Sequence, residues 1–140
     1  MTMRRSLALF LALSLTACAG TPGPGDSGYP FNVEGSYRGA ISVDGQGFSG
    51  TMQLRTEAGG MVSGSFEITQ PVGITGRIEG MLVGDQLTLA MRYANNPATG
   101  CTGGAAEGTV TVDEGGSMIR GRLTVNDCGA SLAAQMNFRR

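Results

Sequence analysis

Residues 47–70 read GFSGTMQLRTEAGGMVSGSFEITQ, and their spacing decides the fold. Phe48, Gly50, Met52 and Leu54 alternate with Ser49, Thr51, Gln53 and Arg55. After Gly59-Gly60 the alternation resumes, with Val62, Gly64, Phe66 and Ile68 set against Ser63, Ser65, Glu67 and Thr69. Successive side chains of a strand point to opposite faces, so a period of two with one uncharged side predicts a half-buried strand. Two such runs around a Gly-Gly pair predict a hairpin of antiparallel strands. Residues 104–127 (GAAEGTVTVDEGGSMIRGRLTVND) repeat the arrangement around Gly115-Gly116.

Working outward, the same period gives six more faces. Tyr37, Gly39, Ile41 and Val43 share one, and Val72, Ile74, Gly76 and Ile78 another. Leu87, Leu89, Met91 and Tyr93 follow, then Ala106, Gly108, Val110 and Val112. The last are Ile119, Gly121, Leu123 and Val125, and Ala130, Leu132, Ala134, Met136 and Phe138. Asp44-Gly45, Gln70-Pro71, Gly84-Asp85 and the stretch 127–129 supply the intervening turns. Eight short strands in series predict an all-β domain, an eight-stranded antiparallel up-and-down meander barrel, with a β-sandwich as second choice. Closure is favoured because it removes exposed strand edges. Glycines recurring mid-strand on the apolar face fit sharp bending and room for bulky neighbours.

The chain has 140 residues and a formal charge of −1, with no histidine, no lysine and no tryptophan. That length predicts one domain plus an appendage. Lack of histidine removes most general-base and zinc chemistry, and lack of lysine removes Schiff-base chemistry. The near-neutral balance argues against nucleic acid as partner. Acidic residues fall on outward faces or in turns, with no spacing for a paired-carboxylate or calcium site. The expectation is therefore a protein that is not an enzyme and holds no cofactor and no metal.

The amino end carries Arg4 and Arg5, the apolar run SLALFLALSL over 6–15, and then Leu15-Thr16-Ala17-Cys18. That run is too short to span a bilayer and has the length of a signal-peptide core. The stretch resembles the lipobox of bacterial lipoproteins. The resemblance implies cleavage before Cys18, lipidation of Cys18, and attachment to the membrane through its acyl chains. Ala19 in the next position implies the outer membrane. An ordinary signal peptide cut near Ala19 or Gly20 is the alternative.

Three units follow: 1–17 a signal peptide, 18–32 a lipidated cysteine with a flexible tether rich in Pro and Gly, and 33–140 the barrel. Cys101 and Cys128 remain, and an exported pair predicts a disulfide. A reactive dithiol is the rival reading, without a CxxC or a basic neighbour to support it.

Gly35-Ser36-Tyr37 at the first strand and Arg139-Arg140 at the last resemble the Gly-x-Trp opening and late arginine of the calycins, the lipocalin and avidin-like barrels. Tyr37 stands where that pattern has tryptophan. The resemblance implies the architecture and no particular ligand. The expected function is a non-catalytic, lipid-anchored binding module of the bacterial envelope, monomeric, holding a small apolar ligand or lipid. Candidate ligand contacts are Tyr37, Phe48, Phe66 and Tyr93 in the interior, and Asn95, Asn96 and Thr99 on the long link expected over 94–103. The alternative is an interaction or inhibitor domain, of the lysozyme- or protease-inhibitor kind, acting through its loops. The end holding Tyr37 and Arg139 is expected to face the membrane, and the disulfide end to face away.

Overall fold

The computed structural model describes residues 19–140, so the leader and Cys18 lie outside the described residues. Eight strands follow in order: β1 (Gly35–Val43), β2 (Gln46–Thr56), β3 (Met61–Gln70), β4 (Ile74–Val83), β5 (Gln86–Asn96), β6 (Cys101–Val112), β7 (Met118–Asp127) and β8 (Ala130–Arg139). Each is antiparallel to the next, and β8 returns to β1 with Gly39 opposite Phe138, so the sheet closes into a barrel. This is the meander expected from the alternation.

The uncharged faces all point inward. Tyr37, Met52, Ile78, Leu82, Leu87, Met91, Ile119, Met136 and Phe138 are the large side chains sealed in the core. Outward positions are dominated by Ser, Thr, Gln, Arg and Glu. A transmembrane barrel shows the reverse, an apolar band toward lipid and a polar lumen. Mid-strand glycine has a clear cause at Gly39 and Gly50. A Cβ there would collide with the carbonyl oxygen of Asn137 or Glu67 on the neighbouring strand, so the tight bend of a small barrel requires its absence.

The two ends differ. At one, which we call the base, lie the links after β2, β4 and β6 together with the start of β1 and the end of β8. Its two Gly-Gly turns are alike: Gly60 N–H donates to the Glu57 carbonyl, Gly116 N–H to that of Asp113, and all four glycines have positive φ.

Residues 23–32, expected to belong to a flexible tether, instead lie folded across these links. The Gly115 N–H donates to the Pro30 carbonyl, and the Tyr29 hydroxyl to that of Gly84 at 2.8 Å. The Asn32 side chain holds the segment's own turn, accepting from Gly25 N–H and donating to the Asp26 carbonyl. Tyr29 and Phe31 meet edge to face at 5.8 Å and pack on the core. The Pro and Gly content that suggested a coil is what lets the chain turn repeatedly while two aromatic rings anchor it.

Tyr37 lies sealed beneath this cap, and its hydroxyl donates to the buried Gly116 carbonyl. The arginine that meets it is Arg140, not Arg139. The Arg140 guanidinium stacks 5.7 Å from the ring centroid and donates to the carbonyls of Glu34 and Gly115. Arg139 is exposed on the outer face.

Candidate functional site

The opposite end, the mouth, is formed by the links after β1, β3, β5 and β7. The link after β5 is shorter than expected. Strand pairing continues through Asn95 opposite Thr102 and Asn96 opposite Cys101, leaving only residues 97–100 as a turn. Most of the segment 94–103 is therefore hairpin, held by main-chain hydrogen bonds. Cys101 and Cys128 form the expected disulfide, with Cα atoms 5.5 Å apart, tying this hairpin to the turn after β7.

One cross-strand row builds the site. By register it runs from Tyr37 through Met52, Phe66, Gly76, Tyr93 and Gly104 to Asp127. Strands of a barrel tilt against its axis, so a row perpendicular to them climbs from one end to the other. Tyr37 is the base end of this row and Asp127 the mouth end. Within the row, rings lie over glycines. A Cβ at Gly76 would fall 2.5 Å from Phe66 Cε1, and one at Gly104 within 2.5 Å of the Tyr93 hydroxyl. The two glycines thus let Phe66 and Tyr93 lie along the inner wall instead of crossing the lumen.

Laying the rings down leaves a recess of about 70 Å³ at the mouth. Phe48, Phe66 and Tyr93 supply its aromatic wall, and Ile41, Ile68, Met91 and Val125 are among its aliphatic lining. Asn96 is a polar member of that lining.

The mouth's polar network centres on Asp127. Asn96 Nδ2 donates to Asp127 Oδ2 at 2.6 Å, and the Thr99 hydroxyl donates to the same oxygen at 3.0 Å. Asn96 Oδ1 accepts from the Ala98 N–H, so one side chain braces both the turn and the carboxylate. Asp127 is 7 % exposed, and its Oδ1 has no hydrogen-bond partner. Burial pushes the Tyr93 hydroxyl above its usual pKa, the neighbouring Asp127 carboxylate pushes it the same way, and Asn96 pulls it down. Asp127 lies near the Cys101 and Cys128 sulfurs, but the disulfide consumes both as metal ligands.

The candidate residues thus divide. Phe48, Phe66, Tyr93 and Asn96 come together around the recess. Thr99 stands over it through Asp127, while Asn95 is exposed beside it. Tyr37 does not belong there, because it is buried at the base with its hydroxyl already bonded. Sequence reading missed Asp127, whose Asn126-Asp127 context resembles an ordinary turn. The available signal was its parity: it continues the inward series Ile119, Gly121, Leu123, Val125.

No family model matches this chain, and no curated protein does. Among solved structures, a redesigned β-barrel is similar with a TM-score of 0.58 at 15% identity, over 77% of this chain and 90% of that one. A likeness at that identity shows the fold alone.

Proposed function

We propose that this protein is a non-catalytic, lipid-anchored binding module of the bacterial envelope. Its site is the barrel mouth, which takes an apolar group of a small ligand. The observation that carries this reading is the recess, which three aromatic rings and several aliphatic side chains line. Export is supported by the Cys101–Cys128 disulfide, which suits an oxidising compartment, and by the lipobox-like leader. The short path from Cys18 to the cap at residue 23 keeps the base near the bilayer and turns the mouth outward. Met61, Met81 and Val83, the large apolar side chains left exposed among the described residues, are also at the base.

Size refines the expectation of an enclosed apolar ligand. Ligand pockets run to about 300–1,000 Å³, and a cavity of about 150 Å³ holds a benzene ring. A recess of about 70 Å³ takes one end of a ligand, such as a short branched or cyclic group, and leaves the rest outside. Native mass spectrometry of protein matured in the cell tests this. A bound small molecule is expected on the native protein and is lost in Ala106→Leu, which fills the recess. Unchanged binding in that variant, or no response of the native protein to an added probe such as isobutanol, refutes the site. Cys18→Ala tests the anchor: the precursor should accumulate uncleaved and unacylated.

The braced hairpin favours a second reading. A turn held by Asn96, Thr99, Asp127 and a disulfide is pre-organised, which lowers the entropic cost of docking a partner protein. In that case Asn95→Arg abolishes partner binding and leaves binding of the apolar probe intact.

A further inference from the structure

The geometry points to an ammonium-bearing ligand for the mouth: an organic amine whose apolar end fills the recess and whose charged nitrogen meets Asp127. This rests on the mouth being the binding site and adds the class of molecule it takes. Asp127 is on the inward face of β7, two residues beyond Val125, which lines the recess. Its hydrogen-bonded neighbour Asn96 and the adjacent Tyr93 are both in that lining. The carboxylate is therefore at the rim of the recess, more than nine-tenths buried, with Oδ2 doubly bonded and Oδ1 left without a donor.

A buried carboxylate oxygen is costly unless a donor or cation meets it. The protein brings no cation to it among the described residues, and beyond Asn96 and Thr99, which both bond Oδ2, the nearest donor is the Tyr93 hydroxyl. The mouth links, residues 44–45, 71–73, 97–100 and 128–129, contain Asp44 and no arginine, and the chain has no lysine. Arg92 pairs with Glu107 on the outer wall. The mouth is thus acidic, with an orphaned acceptor next to three aromatic rings. A short alkylammonium satisfies every part of it: N–H donors for Oδ1, charge for the carboxylate, ring faces for the polarised carbons beside the nitrogen, and an apolar end for the recess. A neutral alcohol of the same shape can donate one O–H to Oδ1 but brings no charge to the carboxylate.

The test uses isobutylamine and isobutanol, matched in size and short enough for the recess, titrated into the purified protein. It is read site by site from the backbone amide resonances of Asn96, Asp127 and Ala106. The amine should bind about tenfold or more tightly than the alcohol, the range expected for a charged hydrogen bond. Asp127→Asn should abolish the amine's preference, leaving the two compounds with equal affinity. Equal affinities in the native protein overturn the ammonium assignment and leave the recess standing, and this comparison holds whether or not the variant folds. An amine preference that survives in Asp127→Asn overturns it as well. Binding of neither compound removes the mouth as a site altogether, and this inference with it.

Discussion

Two tyrosines make the same hydrogen bond in different surroundings, and a paired substitution measures what burial adds. The Tyr37 hydroxyl donates to the Gly116 carbonyl and the Tyr29 hydroxyl to the Gly84 carbonyl, each joining the polypeptide to a base link. The first bond is buried and the second exposed. No other donor reaches the Gly116 carbonyl among the described residues. Tyr37→Phe keeps the ring, its packing and its stacking with Arg140, and removes one donor. The stranded carbonyl then bears the full desolvation penalty, about 1–3 kcal/mol. Tyr29→Phe leaves a carbonyl that water can reach, so the loss is about 0.5 kcal/mol or less. At roughly 4 °C per kcal/mol for a domain of this size, Tyr37→Phe lowers Tm by about 4–12 °C and Tyr29→Phe by about 2 °C or less. Urea unfolding followed by far-UV circular dichroism gives both values on one protein, with the slope m expected to stay constant. Losses equal within about 0.5 kcal/mol would refute the reasoning, because burial of the base would then contribute nothing.

Replacing Cys101 and Cys128 together by alanine reopens a loop with sequence separation 27 and should cost about 3.5 kcal/mol on the chain-entropy argument, read as a lower urea midpoint. A cost below about 1 kcal/mol means the Asn96–Asp127–Thr99 network holds the mouth unaided. Alkaline stability has a definite sign. Burial raises the Tyr37 and Tyr93 hydroxyls above the usual value near 10, an effect that Arg140 partly offsets at Tyr37. The unfolded chain therefore loses these protons first, so their contribution is complete below pH 10 and fades as pH rises through the folded values. Tyr37→Phe should flatten that decline, and an unchanged slope in urea titrations at pH 9 to 11 counts against it. Spin labels at Ala58 on the base and Asn95 on the mouth hairpin, both exposed, test the pose in vesicle-anchored protein. Greater membrane proximity at 58 is expected, and equal proximity removes the outward-facing mouth.

The barrel was legible in residues 47–70 and their counterparts because strand periodicity is local. Whether Met52 or Gln53 faces the core depends on the pleat and on two neighbours, and hairpin turns fix which strand comes next. Phe48, Phe66 and Tyr93 could be assigned to the interior on the same ground, and Cys101 and Cys128 to one end by counting turns. Three features needed the tertiary structure. Counting turns puts Tyr37 at the base, but only the packing shows it sealed there with its hydroxyl bonded, while Tyr93 lines the recess at the mouth. Segment 23–32 is ordered by carbonyls and N–H groups of links distant in sequence, which no local composition encodes. Asp127 reads as a turn residue by its neighbours. Only the row that carries it past Gly104 to Tyr93 makes it a buried carboxylate with one oxygen unclaimed, because burial of a polar group is decided by what the other strands bring against it.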